Sequence, residues 1–248
     1  MANKVLFCAA PDLHPAFPTL VSDLAMCQKD FTAHDDIYVT AKIAFPAAAL
    51  AHWAGTPTFD SGYFITLIGG SHILSGLTLH NGSEWFDLTL LSTEVPWGAS
   101  PLAMKWYIVE MWHKRSVERF CNVQCVNSTV GPAYSDQTFR INIGQWNALN
   151  PVVDPTDGRF HSVYFDKVWV GTTRFGNDIL DEDWESGTFA NWGFHNTWTG
   201  VKGCEIIDDP GITPYNTTCN PFDEPFREGV HLAPITIPYG NVPVGQVG

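Results

Sequence analysis

Short runs of β-branched and aromatic residues recur along the chain and are separated by turn-forming residues. The clearest runs are Ile37–Phe45, Tyr63–Leu67, Leu77–Leu79, Trp85–Leu91, Lys105–Trp112, Thr138–Ile143 and His161–Val170. Turn sequences such as Gly-Gly-Ser, Asn-Gly-Ser and Pro-Thr-Asp-Gly lie between them. Helical periodicity is weak and is found around Phe17–Gln28 and Phe45–Ala54. This pattern predicts an all-β fold in which antiparallel strands form a sandwich or a barrel.

The composition is that of a folded chain. Of 248 residues, 45% are hydrophobic, 13% are aromatic and 16% are charged. Disordered proteins have few aromatic residues and a high net charge for their hydrophobicity, so this composition excludes that class. The longest uncharged apolar stretch, Ala44–Ala51, contains Pro46 and is far shorter than the ~20 residues that a membrane-spanning helix needs. The N-terminal residues lack the apolar core of a secretory signal, so we expect neither a leader peptide nor a membrane partner.

The charge balance argues against nucleic acid as a partner. The chain has 13 basic and 26 acidic residues, which gives a formal net charge of −13. Proteins that bind nucleic acid neutralise its phosphates with a basic surface. The one small basic cluster, formed by His113, Lys114, Arg115 and Arg119, is typical of a solvated strand end or turn.

The texture of the chain changes from Asn177 onward. Gly, Pro, Asn and Asp with isolated aromatic residues replace the strand-like runs, and Pro234, Pro238 and Pro243 mark the last stretch. Proline removes a hydrogen-bond donor and resists both helices and central strands. We therefore expect an N-terminal segment over residues 1–34, a sandwich over 35–176, and an irregular, extended C-terminal arm over 177–248.

Three motifs, in order along the chain, resemble one family of sandwiches. They are residues 106–112 (Trp-Tyr-Ile-Val-Glu-Met-Trp), 139–144 (Phe-Arg-Ile-Asn-Ile-Gly) and 163–170 (Val-Tyr-Phe-Asp-Lys-Val-Trp-Val). They are similar to the back half of the concanavalin A-like, or laminin G-like, jelly rolls, and the resemblance covers about residues 35–175. It implies an antiparallel jelly-roll β-sandwich with a lectin-like body. Lys167 stands where the family usually has a second acid.

A further segment is similar to a motif that opens such jelly rolls, yet it follows the closing strand. Residues 181–192 (Asp-Glu-Asp-Trp-Glu-Ser-Gly-Thr-Phe-Ala-Asn-Trp) resemble the "DFESG…W" segment of the family. We therefore expect the C-terminal arm to complete a sandwich in permuted order, either that of its own chain or that of a neighbouring subunit. Donation to a neighbour would build a polymer, because an incomplete sheet edge is a template for another chain.

The carboxylates of the same segment are the candidates for catalysis. Asp181, Asp183 and Glu185 alternate, so in an extended strand they would point to one side. Paired carboxylates about 5–5.5 Å apart hydrolyse glycosides with retention. The hydrolases of this family begin the motif with Glu, where this chain has Asp181. We expect no catalytic residues, and a secreted glycan-active hydrolase that uses these three acids is the alternative.

Ligand binding is expected on aromatic side chains and loop acids. Trp85, Trp106 and Trp112 lie in predicted strands and are the candidates for carbohydrate binding, because an exposed ring offers a sugar a flat apolar platform. Asp154 and Asp157 lie in a loop and carry the oxygen ligands that calcium prefers. A structural calcium ion is therefore the one cofactor that the sequence suggests.

The six cysteines leave several disulfide connectivities open. Cys204 and Cys219 bracket a polar loop, and we expect a disulfide between them if the protein matures in an oxidising compartment. Cys121 and Cys125 have a C-x3-C spacing that does not match the common zinc sites.

These features favour a non-enzymatic structural or adhesive protein of a larger assembly. The lectin-like body and the extended proline-rich end fit a phage virion component, such as a decoration, fibre or tail protein. Its partners would be neighbouring subunits or other virion proteins and a cell-surface glycan, and its location would be the virion or an extracellular surface. A subunit of an extracellular filament is the alternative in the same class.

Overall fold

The fold is known from a computed structural model, which describes residues 3–11, 24–50, 61–69, 72–80, 89–90, 102–114, 138–148, 160–199 and 203–214. The strands are β1 (Lys4–Pro11), β2 (Leu24–Thr32), β3 (Asp36–Ala44), β4 (Ser61–Gly69), β5 (His72–His80), β6 (Thr89–Leu90), β7 (Lys105–Lys114), β8 (Thr138–Ala148), β9 (Phe160–Gly171), β10 (Leu180–Glu182), β11 (Phe194–His195), β12 (Gly203–Asp208) and β13 (Thr213–Pro214). Residues 47–50 are helical. Among these residues, no helix has the length and apolar character needed to cross a membrane.

The strands form two sheets. One has eight strands in the order β12-β1-β9-β3-β7-β13, with β10 beside β9 and β6 beside β7. The other has five strands in the order β11-β2-β8-β4-β5. The described neighbours are antiparallel except for β13, which runs parallel to β7.

The two sheets face each other across one hydrophobic core. Side chains that alternate along β3 and β9 point into this core from the larger sheet, among them Val39, Ile43, Val163 and Phe165. The smaller sheet contributes side chains of β4 and β8 to the same core, among them Ile65, Leu67, Ile141 and Ile143. The predicted all-β sandwich is therefore confirmed.

The seven predicted strands are present as β3 to β9. Most of them extend further than predicted, and β4 and β5 gain several residues at their ends. For Trp85–Leu91, the described part is β6, Thr89–Leu90. Within the weakly periodic stretch Phe45–Ala54, residues 47–50 are helical, and residues 51–54 lie outside the described part of the chain.

The N-terminal segment belongs to the sandwich, contrary to the boundary expected at residue 35. β1 lies between β12 and β9, and β2 lies between β11 and β8. The weak helical periodicity around Phe17–Gln28 does not give a helix in its described part, because residues from Leu24 onward form β2. Pairing with β8 from Leu24 to Thr32 outweighs the weak helical spacing, since it buries Ala25 and Cys27 in the core.

The described part of the C-terminal arm adds strands to the sheets of its own chain. β10 pairs with β9, β11 with β2, β12 with β1, and β13 with β7. Residues 180–199 and 203–214 therefore complete both sheets in cis. Residues 215–248 lie outside the described part, so the alternative of donation to a neighbour stays open for them alone.

The disulfide of Cys204 differs from the predicted one. Cys204 is bonded to Cys8, whose position in the chain is 196 residues away, and not to Cys219. The two cysteines lie directly opposite each other in the β1–β12 ladder, with their Cα atoms 4.2 Å apart. The prediction used closeness along the chain, whereas the fold brings a distant strand alongside. Cys219 lies outside the described residues.

Candidate functional site

A groove lies on the outer face of the five-stranded sheet, beside its β11 edge. Its volume is about 480 Å³, within the range of roughly 300–1,000 Å³ that is usual for small-molecule sites. We call it the Phe194 groove. The described residues that line it are Gln28, Lys29, Asp30, Arg140, Ala190, Asn191, Trp192, Gly193 and Phe194.

Strand alternation brings polar side chains to this face. In β2, Cys27 points into the core, so Gln28 and Asp30 lie on the opposite face. In β8, Ile141 points into the core, so Arg140 lies on the outer face beside them. The groove floor therefore consists of an amide, a carboxylate and a guanidinium group.

Asp30 and Arg140 form a two-point ion pair on this floor. Arg140 Nε donates to Asp30 Oδ1 at 2.6 Å, and Arg140 Nη2 donates to Asp30 Oδ2 at 3.0 Å. These hydrogen bonds lower the pKa of Asp30 below its ordinary value, and burial opposes them only in part. Both side chains are about half exposed, so the pair contributes little to stability and keeps free hydrogen-bonding capacity toward a ligand.

Phe194 supplies the exposed aromatic ring of the groove. It pairs with Gln28 in the β11–β2 ladder, and 50% of its surface is exposed. Leu102 is the other large hydrophobic side chain that is exposed in the described part of the chain. An apolar ligand face that covers the ring removes it from water, which is favourable by roughly 25 cal/mol per Å².

Glu182 holds the wall of the groove in place. Its side chain is buried, with 2% of the residue exposed. Glu182 Oε2 accepts hydrogen bonds from Trp192 Nε1 at 3.0 Å and from Asn191 Nδ2 at 3.2 Å, and Oε1 accepts one from the Trp184 backbone N–H at 3.0 Å. The Trp184 and Trp192 rings are stacked, with centroids 5.7 Å apart. The wall is thus anchored from the core side.

Two further hydrogen bonds join this wall to β2. The Gly193 backbone N–H donates to the Gln28 carbonyl at 2.9 Å, and Lys29 Nζ donates to the Asn191 carbonyl at 3.0 Å. The groove therefore has a fixed floor and one fixed wall, which is the preorganisation that a binding site needs.

The carbohydrate platform predicted at Trp106 is wrong. Trp106 is only 4% exposed and packs with Val5, Ala44 and Ile212. Lys42 Nζ lies 5.2 Å from the ring centroid, and β13 runs alongside this part of β7. Because Val5, Ala44 and Ile212 pack around it, the ring is closed to a sugar.

The other predicted ligand residues fall outside what the structure describes. Trp112 belongs to β7, but its side chain is not among the described ones, and Trp85 lies wholly outside them. Asp154 and Asp157 also lie outside the described residues. The calcium site therefore stays a prediction.

The three candidate catalytic acids have separate partners. β10 ends at Glu182, so the alternation that would align the acids ends there. Asp181 accepts hydrogen bonds from Trp169 Nε1 and Asn177 Nδ2, at 2.8 and 2.6 Å. Asp183 accepts from the Glu185 backbone N–H, and Glu185 accepts from the Lys4 backbone N–H. Each acid thus has a local structural partner.

A second group of aromatic rings lies on the outer face of the eight-stranded sheet. The ring of Phe7 lies 4.9 Å from that of Tyr164 and 5.7 Å from that of Trp198, measured between centroids. These rings are partly buried against one another. Each of these three residues is less exposed than Phe194, which makes the Phe194 groove the stronger candidate.

Sequence reasoning missed the residues of the Phe194 groove. A signal existed for Arg140, which lies between alternating apolar residues of a predicted strand and so had to face away from the core. No comparable signal existed for Asp30, because its segment was expected to lie outside the sandwich. Phe194 and Asn191 lie in a segment whose pattern of hydrophobic and polar residues does not predict a strand.

Comparisons with protein-family models, with curated proteins and with solved structures find no match.

Proposed function

We propose that the protein is a non-enzymatic adhesive component of a larger assembly and that it binds carbohydrate in the Phe194 groove. The observation that carries this proposal is the exposed ring of Phe194 beside the Asp30–Arg140 pair. A sugar has an apolar face of C–H groups and a rim of hydroxyl groups. In the groove, the Phe194 ring can contact the apolar face, and the polar side chains can form hydrogen bonds with the hydroxyl groups.

The polar residues of the groove match the rim of a sugar. Asp30 accepts hydrogen bonds from hydroxyl groups, Arg140 donates to them, and the amides of Gln28 and Asn191 do both. Planar, charged groups can contact two neighbouring hydroxyls at once, which adds geometric specificity. Pockets for small ligands combine apolar contact with a few placed polar groups in this way.

The groove favours binding over hydrolysis. Among its described lining residues, Asp30 is the one carboxylate, and it is held by Arg140. A retaining glycosidase needs a second carboxyl group about 5–5.5 Å away, one of the two acting as an acid. A carboxylate that is kept ionised by a guanidinium group is suited to accepting hydroxyl protons in hydrogen bonds, and not to protonating a leaving group.

We assign the fold to the concanavalin A-like jelly rolls and the protein to the phage virion, as a decoration, fibre or tail component. The motifs in β7, β8 and β9 and the two-sheet arrangement support the fold assignment. The assignment to an assembly is supported by the length of chain beyond Pro214, which carries Phe222, Phe226 and Tyr239 among its prolines. A subunit of an extracellular filament is the second candidate.

A glycan array tests the proposed function. The labelled wild-type protein is expected to bind a related set of glycans on the array. The same glycans, incubated with the protein in solution, are expected to release no reducing sugar. Failure to bind any glycan would overturn the binding proposal. Sugar release that is lost in D183N and E185Q would favour the hydrolase instead.

A further inference from the structure

Three cysteine sulfurs lie together in the core of the sandwich. Cys8 and Cys204 form a disulfide, and Cys27 is a free thiol in the described part of the chain. The three Sγ atoms all lie within 4.8 Å of one another, and each residue is at most 1% exposed. A thiol in this position can reach both sulfurs of the disulfide.

The three cysteines come from both sheets. Cys8 in β1 and Cys204 in β12 are ladder neighbours in the eight-stranded sheet, whereas Cys27 lies in β2 of the facing five-stranded sheet. Asn196 joins the two sheets here. Its backbone N–H donates to the Met26 carbonyl at 3.0 Å, and its carbonyl accepts from the Cys204 N–H at 2.7 Å. The backbones next to Cys27 and Cys204 are therefore fixed to one residue.

The surroundings disfavour a metal ion at this cluster. Three thiolates are typical of a soft ion such as Cu(I). That complex would carry two net negative charges inside an apolar core, and the buried carboxylate of Glu182 lies close enough to act on Cys27. Burying an uncompensated charge is costly. A reaction that keeps the net charge of the cluster unchanged fits this site better.

We propose that Cys27 exchanges with the Cys8–Cys204 disulfide, so that one bridge moves between a position within one sheet and a position between the sheets. Cys27 Sγ, on losing its proton, attacks Cys204 Sγ and forms a new S–S bond. The Cys8–Cys204 bond breaks, and Cys8 leaves as a thiolate that takes up the proton. One disulfide and one thiol are present before and after, so no oxidant or reductant is needed.

The Cys27–Cys204 bridge is the expected product, since Asn196 holds these two strands together. In this state the bond links β2 to β12 and ties the two sheets covalently at their common edge. In the starting state the bond links two strands of the same sheet. The exchange therefore decides whether the two sheets are joined by a covalent bond.

Peptide mapping of the native protein tests the exchange. The oxidised wild type is incubated at a series of increasing alkaline pH values, because burial raises the pKa of the Cys27 thiol and a thiolate is needed for attack. Samples are quenched with acid, unfolded and alkylated. Cleavage at Asp12, Asp23, Asp30, Asp183 and Asp208 separates the three cysteines onto different peptides. The Cys27-linked disulfide peptides are expected to rise from a low level to a constant fraction.

Two variants make the result decisive. C27A is expected to keep the Cys8–Cys204 bridge unchanged throughout the incubation. C8S, oxidised in the same way, is expected to form the Cys27–Cys204 bridge. If C8S folds poorly, the wild-type time course still tests the same bridge independently. Absence of every Cys27-linked peptide from the wild type, with Cys27 recovered fully alkylated, would overturn the proposal. A Cys27-linked peptide that pairs with Cys121, Cys125 or Cys219 instead would also overturn it.

Discussion

Glu182 is the residue on which the wall of the Phe194 groove depends. Its two carboxylate oxygens accept three hydrogen bonds, and they do so in the core. A buried acceptor that loses its charge or its oxygen leaves donors unsatisfied. The prediction from sequence selected the acids on either side of Glu182, because it assumed that the whole segment is a regular strand. The strand ends at Glu182, and this buried carboxylate instead holds the turn that follows.

E182Q is expected to lower the free energy of unfolding by about 1–3 kcal/mol, because the amide nitrogen presents N–H groups to the donors of Trp192 or Trp184. Urea unfolding followed by tryptophan fluorescence measures this change. E185Q is the matched control, since Glu185 is exposed and its substitution should change stability by less than about 0.5 kcal/mol. Equal effects of the two variants would contradict the anchoring role of Glu182.

Asp30 is expected to titrate below the ordinary aspartate pKa of about 3.9. The hydrogen bonds from Arg140 lower its pKa, so the folded state binds this proton less tightly than the unfolded state does. The contribution to stability is therefore present above about pH 4 and is lost as the pH falls through the lowered pKa. It is small, because both side chains are half exposed.

Carboxyl NMR titration measures the Asp30 pKa directly. In R140Q the Asp30 midpoint is expected to rise toward the ordinary value. An Asp30 midpoint that does not differ between the wild type and R140Q would show that the ion pair is not formed in solution.

At the scale of elements, the C-terminal strands are part of the sandwich. Residues from Asp181 onward bury Trp184, Trp192, Cys204 and Ile212 against the rest of the chain. Deletion of residues 181–248 removes these contacts and leaves β1 and β2 without their outer neighbours. We expect this variant to lose cooperative thermal unfolding and its near-UV circular dichroism signal.

The matched control ends the chain at Pro214. Deletion of residues 215–248 keeps every described strand and is expected to leave the melting temperature within a few degrees of the wild type. If the variant lacking 181–248 melts as cooperatively as this control, the C-terminal strands are not integral to the fold.

The elements that sequence could predict are those whose own residues specify a strand. Runs such as residues 37–45 and 161–170 alternate β-branched and aromatic residues over a full strand length, so their period and composition agree. β2 and the strands from β10 onward lack this agreement. β2 has mixed spacing, and β10, β11 and β13 are only two or three residues long. β10 pairs with β9, which precedes it directly in the chain, whereas β2, β11, β12 and β13 take their conformation from pairing with strands that are distant in sequence.

Contacts between residues that are distant in sequence also explain why the binding sites were predicted poorly. Trp106 was predicted to be an exposed platform, but it is buried by residues such as Val5 and Ile212, which are distant from it in the sequence. The groove depends on β2, β8 and β11, which lie side by side only in the folded chain. No local pattern in the sequence predicts that these three strands are neighbours.

At the scale of the whole molecule, the proposed assembly depends on residues 215–248. The wild type is expected to form oligomers in sedimentation velocity experiments, and the variant lacking 215–248 is expected to sediment as a monomer with the same fold. The aromatic residues of this stretch would need a partner surface to leave water. A wild type that stays monomeric at all concentrations, or a truncated variant that assembles equally well, would contradict the assembly proposal.

The most direct test of the central claim, carbohydrate binding in the Phe194 groove, is calorimetric titration of the glycan that binds best on the array. F194A is expected to bind it at least ~10-fold more weakly, about 1.4 kcal/mol in binding free energy, because the stacking face is lost. L102A is the matched control, since Leu102 is exposed to a similar extent (54% against 50%) but does not line the groove, and it should bind like the wild type. Equal affinity of F194A and wild type, or no glycan bound by the wild type, would contradict the account.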